Sequence, residues 1–486
     1  MGEPDTKIYV HGEWWEPEHG HYPVLDPATE QVVGAAPEAG SAQVEAAAAA
    51  ARAAFDDWSA TPPAHRAEIL DRIAVLLAKQ AGELVPLVQA ETGSTMRVAT
   101  TMQVPVAIER FERYARLAGA STDLPLPPQA VAATAMARGG LVGAVARRAP
   151  VGVVACITPY NFPLPNLAGK VAPALAMGNT VVLKPAPQDP LQVLRFAQIA
   201  HEAGLPAGVL NVVTGSTAGS GAALVASPDV DMISFTGSTE VGRRIGEVAG
   251  RGIKRQLMEL GGKGAAIVLA DADLDAAAQG IGSTWSFHSG QICTAPTRVL
   301  VQRQVHDQLV DKLVAFAGVC RVGDPRDPQT VVGPLISAAQ RARVEALIAD
   351  GASAGATVAV GGGRPDLDRG YYIEPTLLTD VEPGMTVAQE EFFGPVIVVI
   401  GFDDADEAVS IANGTQYGLY DYVWSGDTAL AYRVAGRLRT GNVGINTIAR
   451  NNETPFGGFK RSGVGRDCGE FALHAYSEIQ SVVWDG

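Results

Sequence analysis

The hydrophobic pattern changes period along the chain. Upstream of about Val151 it is helical. The Ala-dominated stretch from Ser41 to Trp58, led by Ser41 as a good N-cap, predicts a surface helix. From Pro63 to Thr92 the residues Ile69, Ile73, Leu76 and Leu77 recur at helical spacing with Gly93 as a stop, which predicts a second helix. Leu124-Pro125-Leu126-Pro127-Pro128 reads as turn, and LVGAVARRA after it as an added strand or hairpin.

From Val151 onward short β-branched runs alternate with helical segments, the mark of a parallel sheet with crossover helices. The runs are Val151 to Thr158, Thr180 to Lys184, Val209 to Val213 and Asp231 to Phe235. Ligands sit beyond the C-terminal ends of such strands, which directs attention to Pro159-Tyr160-Asn161, Lys184-Pro185, Thr214-Gly215 and Thr236-Gly237-Ser238. A second alternation starts near Gly264 (AAIVLA, TRVLVQ) and continues through VIVVIG and NVGIN, so a second α/β lobe is expected. There is no internal repeat.

A length of 486 residues agrees with two or three lobes, one of them discontinuous, and 47% hydrophobic residues supply a large core. The net charge of −15, with no basic run, argues against nucleic acid or anionic lipid as partner. Ala149 to Gly169 is charge-free, but Pro150, Thr158, Pro159, Asn161, Pro163 and Asn166 inside it argue against a membrane span. The N-terminus has neither a basic nor an apolar leader region, so a cytoplasmic location is expected. Cys156, Cys293, Cys320 and Cys468 show no C-x-x-C spacing, which predicts reduced thiols and no metal site.

Local context leaves the chemistry open. Cys293, in FHSGQICTAPTR, lies in a polar turn suited to an accessible thiol, although most lone cysteines are small buried residues, as Cys156 in VVACIT is expected to be. Glu259, in QLMELGGKG, is either a solvated charge or a base able to take a proton from water. Asn161, in TPYNFPLP, is either a turn or N-cap residue or a donor to an oxyanion. FTGSTEVG sets Gly237 and Gly242 around a helix start, but it is not G-x-G-x-x-G.

Taken in order, TPYNFP, VVLKPA, AGLPAGVLNVV, FTGSTEVG, MELGGK, GQIC, EEFFGPV, NVGIN, PFGGFKRSGVGRDCG and AYSEI resemble the aldehyde dehydrogenase superfamily over nearly the whole chain. The resemblance implies an α/β fold of two doubly wound parallel-sheet lobes, for cofactor and catalysis, plus a small β oligomerisation element. The implied boundaries are 1–122 and 145–257 for the cofactor lobe, 258–470 for the catalytic lobe, and 123–144 with 471–486 for the oligomerisation element. It makes Cys293 the nucleophile, Asn161 the oxyanion donor and Glu259 the general base. NAD or NADP would be held by Thr158, Pro159, Lys184, Gly215, Gly237, Ser238, Glu391 and Phe393. The aldehyde pocket would comprise Asn166, Gly169, Phe287, Ile292, Thr294 and Arg450, within or beside the loop Thr447 to Thr454. A homodimer or homotetramer is implied.

Departures from the family pattern sharpen two expectations. Pro187 stands where many NAD-using relatives have a ribose-binding glutamate, which predicts acceptance of NADP as well as NAD. Gly169 stands where succinic semialdehyde dehydrogenases have an arginine, which predicts a wider pocket and disfavours a succinate-type substrate. Phe287 and Ile292 favour a hydrophobic or aromatic aldehyde; Arg450 complicates this, since its guanidinium could meet a carboxylate, although a solvated surface arginine is the stronger expectation. The alternatives are a coenzyme A-acylating semialdehyde dehydrogenase, against which Glu259 argues, a non-catalytic member of the fold, and a thiol hydrolase using Cys293 and His288.

Overall fold

The structure is a computed structural model that describes residues 6–119 and 123–485. The first five residues, the expected boundary at 122 and the terminal Gly486 lie outside the described residues. Two large, mostly parallel sheets organise the chain, one of eight strands and one of seven.

At the centre of the first sheet five strands run parallel: Arg255–Glu259, Met232–Thr236, Val153–Ile157, Thr180–Lys184 and Leu210–Val212, adjacent in that order. By chain position the order is 5-4-1-2-3, so the winding reverses between Val153–Ile157 and Met232–Thr236. A crevice opens at such a reversal because the crossover helices on either side of it lie on opposite faces. Four of these strands coincide with the β-branched runs. The fifth, Arg255–Glu259, reads in sequence as an amphipathic stretch because its first half is polar and only its C-terminal end is buried. Ile8–Val10 and Glu13–Trp15 extend the other edge in antiparallel fashion.

The second sheet has six parallel strands, Thr376–Thr379, Val396–Phe402, Arg298–Gln302, Ala265–Val268, Tyr420–Trp424 and Asn442–Ile445, with Thr357–Val360 antiparallel at one edge. Beyond the second sheet the chain returns to the first as Gly463–Val464, which sets Gly463 opposite Glu259. Only glycine fits there: its φ is 151°, and a Cβ would lie 2.1 Å from the Met258 carbonyl oxygen.

Three elements differ from the sequence reading. The first helix, Ser41–Ala60, is capped by Gly40 rather than Ser41, because the Gln43 side chain reaches back to the Gly40 N–H at 3.3 Å. The expected single helix from Pro63 to Thr92 is two, Pro63–Lys79 and Ala81–Thr92, bent by 75° at Gln80. Apolar spacing continues through Leu84 and Val88, so periodicity conceals the break; Gly93 closes the second helix in the left-handed conformation. The proline run is not a turn but part of the strand Leu124–Val131. This strand is the edge of a three-stranded antiparallel sheet with Gly140–Pro150 and Ser477–Asp485, and an edge position tolerates the missing N–H groups of proline. Among the described residues no single helix is long and apolar enough to cross a membrane.

Candidate active site

Cys293 follows the helix Leu274–Ser286 and the short turn Phe287–Gly290, and precedes the strand Arg298–Gln302. In the turn His288, Ser289 and Gly290 are all left-handed, with φ of 48°, 56° and 68°. For the first two this conformation is costly and persists only where surrounding contacts impose it. Those contacts are visible. Ser289 Oγ donates to Gly333 O at 2.8 Å, and the buried Gln291 accepts from Ile336 N–H at 3.0 Å. Gly290 abuts the loop that carries Glu391 and Phe393, where a Cβ would lie 2.2 Å from Gly394 O. Cys293 is half-buried, whereas Cys156 is sealed in its strand. Burial pushes the Cys293 thiol up to about 12; the Arg450 guanidinium opposes this, and Glu391 and Glu259 add to it.

Asn161 is not the N-cap of the helix Pro163–Ala176, since Phe162 takes that position. Its Nδ2 donates to Gln291 O at 2.9 Å, and its own carbonyl accepts from Gln103 Nε2 at 2.9 Å. One amide hydrogen thus fixes the side chain against the nucleophile loop, and the second is left to donate elsewhere. His288 has no hydrogen bond to Cys293 among the described residues. Burial holds its imidazole down at about 4, hence neutral, and its ring lies against Phe162 at 5.1 Å.

Glu259 ends the strand Arg255–Glu259 and is buried with neither carboxyl oxygen hydrogen-bonded. Burial, and then Asp467, push its pKa well above the usual carboxylate range, opposed by Lys170 and Arg466. Lys170 is buried, donating to Ser234 Oγ at 3.1 Å, and Ser234 shares a 2.7 Å hydrogen bond with the Tyr476 hydroxyl. The two glycines after Glu259 have a steric reason. A Cβ on Gly262 would lie 2.1 Å from Cys293 O, and one on Gly261 2.4 Å from Glu391 Oε2. Bare backbone here lets the segments bearing Glu259, Cys293 and Glu391 converge.

At the winding reversal Thr158 follows the strand Val153–Ile157 and Thr236 ends the adjacent one, and the hydroxyl of each is buried without a partner. Pro159 follows Thr158, and Ser238 caps the helix Thr239–Arg251 by accepting from Val241 N–H at 3.3 Å. The Gly237 N–H is already donated to Glu259 O at 3.0 Å, so the helix N-terminus after Ser238 is the anion-facing feature of this turn. Lys184 donates to Pro185 O at 2.8 Å, and burial lowers its ammonium to about 8. Gly215 packs on Ser220, where a Cβ would lie 2.5 Å from Oγ. Glu391 accepts from Gly262 N–H at 2.9 Å and is pushed up to about 7 by burial. Phe393, left-handed at φ 52°, meets Tyr160 edge-on at 5.8 Å.

Flanking Cys293 in the chain, Thr294 is buried and Ile292 is half-buried. Phe287 stacks on Phe162 at 6.5 Å. Asn166 Nδ2 donates one hydrogen to Phe162 O at 2.8 Å. Arg450 is exposed, as expected of a surface arginine, and one of its guanidinium nitrogens reaches the buried Thr294 Oγ1. Gly169 does not widen the pocket: the Arg110 guanidinium fills its space, Nη1 lying 2.3 Å from where a Cβ would be. Arg110, Lys170 and Gln291 escape a reading by motif. Arg110 sits in an ordinary amphipathic helix, Lys170 in an apolar one, and Gln291 matters through contacts distant in sequence.

The model of the aldehyde dehydrogenase family matches residues 14–482. The chain is 39% identical to geranial dehydrogenase of Castellaniella defragrans, over 98% of each chain. It is 38% identical to human retinal dehydrogenase 2, covering 98% of this chain and 91% of that one. A crystal structure of aldehyde dehydrogenase C from Pseudomonas syringae, a cysteine-to-alanine variant with NAD+ and octanal, superposes with TM-score 0.93 at 40% identity, covering 99% and 97% of the two chains. Betaine aldehyde dehydrogenase of Staphylococcus aureus in complex with NAD+ gives TM-score 0.95 at 32% identity, with the same coverage. The chain belongs to the aldehyde dehydrogenase family. It is an oxidoreductase of the class that oxidises aldehydes, with the mixed α/β fold of that family.

Proposed function

We propose that this enzyme oxidises an aldehyde to a carboxylic acid with NAD or NADP through a thioester on Cys293 that water cleaves with the help of Glu259. The observation that carries this reading is the convergence of Cys293 with two groups suited to its successive intermediates. These are the Asn161 amide, pinned to the nucleophile loop with one hydrogen to spare, and the Glu259 carboxyl, buried with both oxygens unpartnered.

The Cys293 sulfur, once deprotonated, adds to the carbonyl carbon and the π pair moves to oxygen. Asn161 Nδ2 and the Cys293 N–H are the donors assigned to that oxyanion. The nicotinamide, when bound, accepts the hydride that leaves the tetrahedral carbon. Glu259 then takes a proton from water, the hydroxide adds to the thioester, and the thiolate departs with the acid released. A carboxyl pushed upward by burial is a stronger base than an exposed one, which suits this step. A coenzyme A-acylating enzyme has no use for such a base.

The orphaned hydroxyls of Thr158 and Thr236, flanking the winding reversal, fit a dinucleotide at that crevice. Thr158, Pro159, Gly215, Gly237 and Ser238 would form its floor, Lys184 would meet the adenosine ribose, and Glu391 and Phe393 the nicotinamide ribose. Pro187 supplies no carboxylate against a 2′-phosphate, although Glu38 acts on Lys184 from beside Gly215, so NADP is accepted beside NAD. Rates that favour NAD by more than about tenfold would reject this point. Residues 1–122 and 145–257 are assigned to cofactor binding, 258–470 to catalysis, and 123–144 with 471–486 to oligomerisation. The four free thiols suit a reducing, cytoplasmic setting.

The test is an aldehyde panel followed by NAD(P)H absorbance. Cys293→Ala is expected to abolish oxidation. Glu259→Gln is expected to keep a single-turnover burst while steady turnover falls by about 100-fold or more. Residual steady oxidation by Cys293→Ala rejects the covalent route, and a coenzyme A thioester as product favours the acylating alternative.

A further inference from the structure

A helix with one wide turn in it reaches the segment that carries Asn161. Met96–Val98 and Val104–Ala118 are α-helical, and between them Ala99–Gln103 forms a π turn in which the Val104 N–H donates to Ala99 O. Pro105 supplies the reason. In a regular α-helix its ring would clash with the carbonyl four residues back, and an inserted residue relieves the crowding. The insertion shifts the phase of the helix. Val98 and Ala99 are buried, and the next buried pair is Gln103 and Val104, five residues on, where α-helical spacing would return after three or four. A long amide side chain is thereby turned into the interior.

Gln103 is fully buried, and its Nε2 donates both hydrogens, one to Asn161 O at 2.9 Å and the other to Ser94 Oγ at 3.1 Å. A carbonyl oxygen only accepts, so Asn161 itself fixes which end of the Gln103 amide faces it. Ser94 Oγ is held by Thr92 Oγ1 at 2.7 Å, and Thr92 donates to Val88 O at 2.6 Å. The bonds therefore run in one direction, from Gln103 through Ser94 and Thr92 to Val88, among residues sealed from water. Gln103 Oε1 is left buried without a partner, a cost that an apolar residue would avoid. What the glutamine gains is its hold on Asn161. Among the described residues this is the one well-formed hydrogen bond to the backbone of Pro159, Tyr160 and Asn161; the neutral His288 imidazole acts on the same carbonyl with poorer geometry.

We propose that Gln103 is a positioning residue for the oxyanion donor: by holding the Asn161 carbonyl it aims the Asn161 side chain at the oxygen formed when Cys293 adds to an aldehyde. This rests on the proposed aldehyde oxidation. Asn161 is gripped at two points, its carbonyl by Gln103 and its Nδ2 by Gln291 O at 2.9 Å, two residues before Cys293. With backbone and side chain both fixed, the second amide hydrogen has one direction left. An oxyanion donor lowers the barrier only when it is aimed in advance, since a donor that must first turn gives back what it gains. Gln103 acts through Asn161 and on the addition step, so its loss falls on kcat rather than on KM.

The test is a double-variant cycle on the burst of reduced cofactor formed when the enzyme meets NAD or NADP with octanal or benzaldehyde. Asn161→Ala is expected to slow the burst by about 100-fold or more. Gln103→Met, which keeps the volume and removes both donors, is expected to slow it by about 10-fold or more. The variant carrying both changes is expected to be no more than about threefold slower than Asn161→Ala alone, because Gln103 then has no donor to aim. KM for aldehyde and cofactor in Gln103→Met is expected to stay within about threefold of wild type. Should Gln103→Met melt below the assay temperature, Gln103→Leu, smaller and equally without donors, carries the same cycle. A burst within about threefold of wild type in the Gln103 variant overturns the proposal, as do losses that multiply in the double variant, which mark damage outside Asn161. A burst unchanged by Asn161→Ala, or no oxidation of either aldehyde by the wild type, rejects the functional reading together with this inference.

Discussion

The Cys293 thiol faces opposed influences. Burial raises its pKa to about 12, and Arg450 is the one cation among the principal groups acting on it. The thiolate fraction near neutrality is therefore small, and its alkylation by iodoacetamide is expected to speed up steadily as pH rises from 7 to about 10. Removing a cation that favours the charged form raises the pKa further. Arg450→Gln is therefore expected to slow alkylation at fixed pH by roughly 3- to 10-fold, and Arg450→Lys to restore most of the rate. Unchanged alkylation in Arg450→Gln would show that the guanidinium does not act on the sulfur. This measurement needs no substrate, so it isolates the influence of Arg450 on the nucleophile.

At the scale of elements, the steric tightness after Glu259 makes a sharper demand than any single hydrogen bond. Gly262→Ala would drive a methyl group to within 2.1 Å of the Cys293 carbonyl oxygen, a backbone atom that has no rotamer to escape through. We expect it to cost about 1–3 kcal/mol of stability. Displacement of the thiol from its partners should lower kcat by about 100-fold. Gly250→Ala, in the helix Thr239–Arg251, meets nothing within 4 Å and is expected to stabilise by about 0.5–1 kcal/mol. Thermal melts of the two variants check the opposed signs. Legibility in the sequence follows the same line. The β-branched runs at Val153–Ile157 and Thr180–Lys184 declare themselves because buried parallel strands need continuous apolar residues. Arg255–Glu259 does not, because its outer half is polar, and the strand Leu124–Val131 is masked by prolines that only an edge allows. Cys293, Asn161 and Glu259 are found through family motifs. The position of Arg110 over Gly169 has no motif, since it depends on how two helices cross.

At the scale of the whole molecule, the three-stranded sheet is the part that the chain leaves uncovered. Leu124–Val131 is exposed along its full length, and Ser477–Asp485 everywhere after its first residue. Ile479, Val483 and Trp484 are 64%, 60% and 50% exposed, a concentration of apolar surface that water disfavours. Both outer strands also offer unpaired backbone groups, so a second copy of the chain can satisfy edge and face together. Trp484 lies so close over Gly143 that a Cβ there would meet its ring at 2.5 Å, which sets the strand in place before any partner arrives. The expected outcome is a homodimer or homotetramer by light scattering at micromolar concentration. The double substitution Ile479→Lys and Val483→Lys places two charges on one face of the outer strand without touching the active site, and is expected to give monomers. A wild-type monomer, or an oligomer indifferent to the two lysines, would mean that this sheet serves another purpose.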